Sequence, residues 1–350
     1  MTTPMQLGIY TFGDIVADPH TGHAVSPQRR LDQILETARL ADDAGLDVFG
    51  VGEHHSLAYV NSATATMIAA IAAITKRIRL TSASTSISTA DPVRTFQEFA
   101  TADLVSHGRV EIIFGRGAFT DNFPLFGYSL DDYDALFVEK AGLFDQLNAR
   151  ERVSWSGRFR AALDNAEIAP RPAQAQIPVW MGAVSATSVA RAAAAGFPLA
   201  VPMVGGTAAG YARSIALYRQ LWSESGRAPE DARVATFEHL HVAEYTSHVR
   251  QRFYPYYSAY LKPLFGDPMP TAVFEQMLSP QGSLVAGSSQ QVIDKLLFQR
   301  ELFGTDRFFG QIDIGGQPHS EVLRGIERFA TEVAPVIRRE TAGATPVPGR

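Results

Sequence analysis

The sequence contains no cysteine. That one absence excludes disulfide scaffolds, thiolate zinc centres, iron–sulfur clusters and a cysteine nucleophile. There is no basic excess either. Lys and Arg number 31 against 36 Asp and Glu, a formal net charge of −5, which argues against binding nucleic acid or an anionic membrane surface. No uninterrupted apolar run reaches the ~20 residues that a membrane helix needs; the nearest is the broken Ala-rich stretch after Asn61. Met1–Thr11 lacks a basic start followed by an apolar block, so no secretory signal is visible and a cytoplasmic location is expected. What remains is an ordinary globular composition, 46% hydrophobic and 19% charged over 350 residues. A chain this long buries roughly three quarters of its unfolded surface, so it needs no covalent or metal staple.

Two periodicities alternate along the chain. Gln6–Thr11 reads as a strand; apolar positions then change to helical spacing at Leu31, Ile34, Leu35, Ala38 and Ala41, and Ala44-Gly45 ends that helix. Val48–Gly52 follows as a buried strand. The same reading gives helix Ala63–Ile74, strand Ile78–Ser84, helix Val93–Ser106, strand Val110–Phe114, helix Tyr133–Asn148, strand Val179–Met181, helix Ser185–Ala195 and strand Leu199–Val201. Helix Ala208–Trp222, strand Val234–Val242, helix Gln290–Phe303, strand Arg307–Ile314 and helix Glu321–Arg338 complete it. Eight strands alternating with eight helices predict an α/β fold whose parallel sheet closes on itself, a single (β/α)8 TIM barrel over residues 1–340. A doubly wound open sheet is the rival, but Phe12-Gly13-Asp14 follows the first strand where a G-x-G-x-x-G turn would be needed.

Two stretches exceed ordinary loop lengths and read as insertions. One, at about 150–178 after the fourth helix, carries Pro170, Pro172 and Pro178 and suggests a small β excursion. The other, at about 247–287 after the seventh strand, is aromatic and Pro-rich. It reads either as a substrate lid or as an ordered excursion without a gating role. Residues 341–350 read as a disordered tail.

In such a barrel, chemistry belongs at the C-terminal ends of the strands. The second strand runs into Glu53-His54-His55, three ionisable residues that could serve catalysis or merely cap the next helix. A metal site would need further ligands from other strands. His239 and His241 share one face of the seventh strand, but the fifth and sixth strands end without His, Asp or Glu, so no metal is expected. The fourth strand ends in Gly115-Arg116-Gly117: glycines admit close backbone approach, and arginine offers a fork of donors suited to phosphate. The fifth is followed by Gly182-Ala183-Val184-Ser185-Ala186-Thr187-Ser188, where Ser185 is a plausible N-cap and the free amides of a helix start can hold a phosphate. One arginine with one helix start suffices for a phosphomonoester; a dinucleotide would need more.

Taken together, several segments resemble the luciferase-like, flavin-dependent monooxygenase family. They are Ala44–Phe49 running into Glu53-His54-His55, Ala90–Arg94, Gly108–Val110 through Gly115-Arg116-Gly117, Pro170-Arg171-Pro172 through Pro178–Ala183, and Asp313–Gly316. The resemblance implies an FMN-binding barrel that receives reduced FMN from a separate NAD(P)H-dependent flavin reductase. With O2 it oxidises a small organic substrate through a flavin C4a-(hydro)peroxide shielded from water, Phe12, Phe119 and Phe123 being candidate walls. It implies flavin contacts at Arg116, Gly117, Ala118, Gly182, Ser185, Ala186 and Ser188. A non-proline cis peptide at Ala83-Ser84 would lie beneath the flavin ring. His54 is the implied active-site histidine, which exchanges a proton with the oxygenated flavin, with Glu53 orienting it and His55 beside it. Val184 stands where luciferase has a phosphate-loop glutamate, and Gly115 where it has a reactive cysteine. The apolar helix Ala63–Ile74 implies a homodimer through helices two and three, and no light emission is expected. The alternatives are an F420-dependent hydride-transfer oxidoreductase on the same barrel, a non-catalytic flavin-binding protein, and a metal-dependent hydrolase using His54, His55, His239 and His241.

Overall fold

Short runs of branched and aromatic side chains buried on both faces are what a closed parallel sheet requires, and the chain supplies eight of them. In the computed structural model, which describes residues 4–117, 120–266 and 268–343, they are β1 (Gln6–Thr11), β2 (Val48–Val51), β3 (Arg79–Ser82), β4 (Val110–Gly115), β5 (Val179–Gly182), β6 (Leu199–Pro202), β7 (Val234–Ala243) and β8 (Arg307–Gln311). Each pairs in parallel with its sequence neighbours, and β8 closes on β1 from Gln6↔Arg307 to Tyr10↔Gln311. The expected TIM barrel is therefore the observed one.

Inside the barrel Tyr10, Val48, Ile113, Trp180, Ala200, Ala235, Phe237 and Phe309 form one cluster, while the outer strand faces pack under the helices in a larger one. The floor is ionic. Arg307 of β8 donates to Glu111 of β4 at 2.5 Å, Arg79 of β3 donates to the same carboxylate, and the Arg307 guanidinium lies 4.8 Å from the Trp180 ring.

Helix starts follow local signals. Asp91 accepts from the Arg94 amide with Pro92 at the first helical position, and Ser26 accepts from Arg29 ahead of Pro27, which starts the first helix four residues before its first apolar position. The last helix departs from the reading: His319–Arg328 runs into a widened turn at Phe329–Val333 before Ala334–Thr341 resumes. Pro335, lacking an amide proton, explains the break in the ladder. Thr341, expected in the tail, ends this helix buried against Met5, and residues 344–350 lie outside the described residues.

The stretch after the fourth expected helix contains an antiparallel hairpin, Arg152–Trp155 with Leu163–Glu167. The stretch after β7 is mostly helical, and it holds a strand that the sequence reading did not contain. Leu284–Ser288 pairs in parallel with the upper half of β7, from His239↔Leu284 to Ala243↔Ser288. Helices at Tyr254–Tyr260 and Thr271–Leu278 close a second apolar cluster of Val249, Phe253, Tyr257, Leu261, Met269, Phe274 and Met277 over this end of the barrel. Among the described residues no helix is long and apolar enough to cross a membrane.

Candidate active site

The end of β2 carries the Glu53–His55 trio into the barrel mouth. Gly52 is required just before it, because a Cβ there would lie 2.1 Å from the Phe12 ring. The His54 imidazole lies against two aromatic rings, 4.7 Å from Phe12 and 4.1 Å from Tyr59, the latter stacked at 30°. Burial pushes His54 down to about 4, so its imidazole is neutral at physiological pH. His55 moves the other way. Its Nε2 lies 2.9 Å from Glu53 Oε1, and that hydrogen bond raises it above the ordinary histidine value. Glu53 Oε2 in turn accepts from the Ser86 amide at 3.2 Å. Neither histidine caps the next helix: its N-cap is Ala63, with no side-chain bond. Beside the trio a cavity of about 300 Å³ is lined by Glu53, His55, Thr64, Asp91, Arg94 and Phe126.

β3 ends at a cis peptide between Ala83 and Ser84, after which Thr85 and Ser86 pair with Phe114 and Gly115. A Cβ on Gly115 would stand 2.1 Å from Ser84 Oγ and 3.1 Å from Ser84 Cβ, so glycine here accommodates the close approach of the segment after β3 to the end of β4. Arg116 follows directly. Its Nη1 donates to Asp134 Oδ1 at 2.8 Å, and its guanidinium lies 5.0 Å from the Tyr133 ring. Gly117 adopts a positive φ, and its carbonyl accepts from the Tyr133 hydroxyl.

From the end of β5, Gly182 leads to Ser185, which caps the helix Ala186–Ala195 by accepting from the Ser188 amide; Ser188 Oγ donates to the Ser185 carbonyl at 2.9 Å. Arg191, on the second turn of that helix, reaches the same Asp134 Oδ1 at 2.6 Å. Arg116 and the Ser185 helix, named separately from sequence, are thus tied together by two residues the sequence reading passed over. The available signal was a cation one and a half turns into a helix already read as an anion site. Two guanidiniums beside a glycine-flanked strand end and a capped helix start are groups of the kind that can donate to an anion, and here they share the Asp134 carboxylate.

His54 and Arg116 both follow C-terminal strand ends, of β2 and β4, with β3 between them. Ala118 and Phe119 lie outside the described residues. Phe123, named as a pocket wall, is fully buried, stacked 5.3 Å from Tyr133. On β7, His239 Nδ1 lies 2.8 Å from the Tyr257 hydroxyl, and His241 stacks on Phe253 at 4.2 Å; burial pushes both down to about 4. Among the described residues no three His, Asp or Glu side chains converge where they could hold a metal ion. Asp313, from the last matching segment, is engaged by Arg30 at 2.6 Å and by Thr11 at 2.5 Å, which fastens β1 to β8 above the barrel.

Comparison with known proteins bears on this geometry. Residues 5–307 match the luciferase-like monooxygenase family. The chain is 24% identical to the oxygenase component of a flavin-dependent trigonelline monooxygenase from Acinetobacter baylyi, over 95% of each chain. A Streptomyces bottropensis monooxygenase superposes with a TM-score of 0.84 at 24% identity, covering 95% of this chain and 99% of that one. The oxygenating constituent of a type II Baeyer–Villiger enzyme, the 3,6-diketocamphane monooxygenase of Pseudomonas putida, was solved with FMN; it gives 0.75 at 17% identity, covering 95% and 98%. An F420-dependent secondary alcohol dehydrogenase holding an F420–acetone adduct gives 0.73 at 19% identity, covering 96% and 100%. At these identities the structural likeness shows the fold alone. The family match, by contrast, spans most of the sequence, and on it the chain belongs to the luciferase-like monooxygenase family.

Proposed function

We propose that the chain is the oxygenase of a two-component monooxygenase, taking reduced FMN from a separate NAD(P)H:flavin reductase and using O2 to oxidise a small organic substrate. The observation that supports this is that Arg116 and the Ser185 helix start, donors suited to a phosphate, follow C-terminal strand ends at the same barrel mouth as His54 and the Ala83-Ser84 peptide. Arg116, Gly117, Ser185, Ala186 and Ser188 would hold the phosphate end, and Gly182, Ala83 and Ser84 would lie along the ring. Bound reduced FMN would supply the electrons and the site of oxygen activation.

The chain's own part is position and solvent. Phe12 and Tyr59 fix the His54 ring and shield it from water. Neutral His54 presents one N–H and one lone pair, so it can hold or pass a proton without bringing a charge into the apolar mouth. Glu53, held by His55 and the Ser86 amide, orients the trio. The test is an anaerobic titration with reduced FMN followed by an oxygen pulse. Saturable binding, with reoxidation at a rate different from free reduced FMN, is expected. Reoxidation indistinguishable from free flavin reduces the chain to a flavin-binding protein, and no binding removes the reading.

A second reading, hydride transfer from reduced F420, has the shared fold of the alcohol dehydrogenase in its favour. Titration with F420 in parallel separates the two, because the site should hold one cofactor far more tightly. A homodimer completes the proposal. The helix Thr64–Ile74 turns Thr66, Ala70 and Ala73 outward, and Leu104 and Val105 on the next helix are 44% and 42% exposed, a surface suited to burial against a second copy. A single-chain mass by light scattering at micromolar concentration argues against it.

A further inference from the structure

Arg116 and Arg191 come from different elements yet end on one oxygen, Asp134 Oδ1, at 2.8 and 2.6 Å. Asp134 stands in the first turn of the helix Tyr133–Ala149, with its side chain more than half exposed. The hydrogen bond from Arg191 holds its carboxyl below the usual range, so it is an anion at neutral pH. Both guanidiniums engage it through one Nη only, which leaves other N–H donors of each fork uncommitted to Asp134. The Tyr133 ring beneath Arg116 limits how far that guanidinium can swing.

A carboxylate is a smaller, singly charged counterpart of a phosphate. Clasped by two arginines, it sits where those arginines would clasp a phosphomonoester. We infer that Asp134 is a built-in competitor for the flavin phosphate and that Arg191 is a second phosphate-binding cation. This rests on the proposed FMN reading. Without the phosphate, Asp134 keeps the two arginines paired and in place. When the phosphate arrives it draws both guanidiniums to itself, and Asp134 becomes a like charge at close range. The outcome is a phosphate site that closes readily and holds weakly, as suits a chain that takes up reduced flavin from another protein and must give the oxidised form back.

The opposite role is equally concrete. If Asp134 merely aligned the arginines, removing its charge would weaken flavin binding. The experiment measures dissociation constants of FMN and of riboflavin, which lacks the phosphate, by flavin fluorescence quenching for the parent, Asp134→Asn and Arg191→Ala. Asp134→Asn should tighten FMN roughly tenfold by removing one like charge beside a dianion, and Arg191→Ala should weaken it by about as much. Riboflavin binding should change in neither variant. Weaker FMN binding by Asp134→Asn, or an unchanged FMN constant in Arg191→Ala, overturns the inference while leaving the FMN reading intact. If the parent binds neither flavin, the FMN reading fails and this inference with it. Thermal melts of both variants close to the parent's would confirm that the affinities report on the site and not on unfolding.

Discussion

Two neighbouring histidines at the end of β2 show how far one side chain's chemistry is set by what surrounds it. From the reference value alone, near 6.5, both would exchange protons around neutrality. In the fold, His54 turns into the mouth between Phe12 and Tyr59, where losing water disfavours its cation and brings it down to about 4. His55 turns to Glu53, whose hydrogen bond favours the cation and raises it. The two rings therefore separate into a neutral group and one readily charged, a division of labour familiar from acid–base sites. The prediction is direct. In a histidine-labelled NMR titration, His55 should protonate above its ordinary value, while His54 should stay neutral until about pH 4. Glu53→Gln should lower the His55 midpoint, because burial then acts with less opposition, and should leave His54 nearly unmoved. A His54 midpoint near 6.5 would mean that its ring is solvated, and the proposed role of a neutral proton-holding group would fail with it.

At the scale of elements, the excursion after β7 is a fastened piece of structure. Its helix Tyr254–Tyr260 reaches the barrel through two hydroxyls: Tyr257 meets His239, and Tyr260 accepts from Gln311 Nε2 at 3.1 Å. From the other side Lys295 Nζ donates to the carbonyls of Ser279 and Leu284 at 2.7 Å each, which ties the excursion's return strand to the following helix. Tyr257→Phe removes one partner of a buried pair and leaves the His239 ring nitrogen unsatisfied, a cost of about 1–3 kcal/mol. Hydrogen exchange in residues 246–278 should quicken in that variant while β1 to β4 keep their protection, because local opening follows local contacts. Exchange that rises equally across the barrel would show the excursion to be part of one cooperative unit.

Such anchors were not legible in the sequence, whereas the alternation of strands and helices was. Punctuation explains the difference. Asp91-Pro92 and Ser185 start helices and Gly196 and Gly304 end them with bonds that lie within a few residues of chain. The strand Leu284–Ser288 is five residues long and becomes a strand only because the upper half of β7 offers it an edge. Asp134 gave no sign either: one more acid in Leu130–Asp134, it acquires meaning only when Arg116 and Arg191, 18 and 57 residues away, arrive beside it.

For the whole molecule, closure is the act that makes a barrel, and the ionic floor joins strands that are far apart in sequence. Arg307 lies 196 residues beyond Glu111, and with Arg79 the three span β3, β4 and β8. Burial alone would raise the Glu111 carboxyl, but the Arg307 charge, and then that of Arg79, outweigh it and bring the group down to about 2 from an ordinary 4.5. A folded value below the unfolded one means the folded chain holds fewer protons through that interval. The stabilisation is therefore complete above about pH 4.5 and is lost as pH falls through about 2. Glu111→Gln should lower stability at neutral pH by about 3–5 kcal/mol, the scale for leaving a buried guanidinium without its counter-charge. The variant should also lose less on acidification. Asp14 and Glu238 are pushed upward by burial and add slopes of the opposite sign. The informative quantity is thus the difference in melting temperature between parent and variant, followed from pH 7 to pH 3. That difference should shrink below about pH 4.5; a gap that stays constant over this range would show that the floor contributes through packing on Trp180 and not through charge.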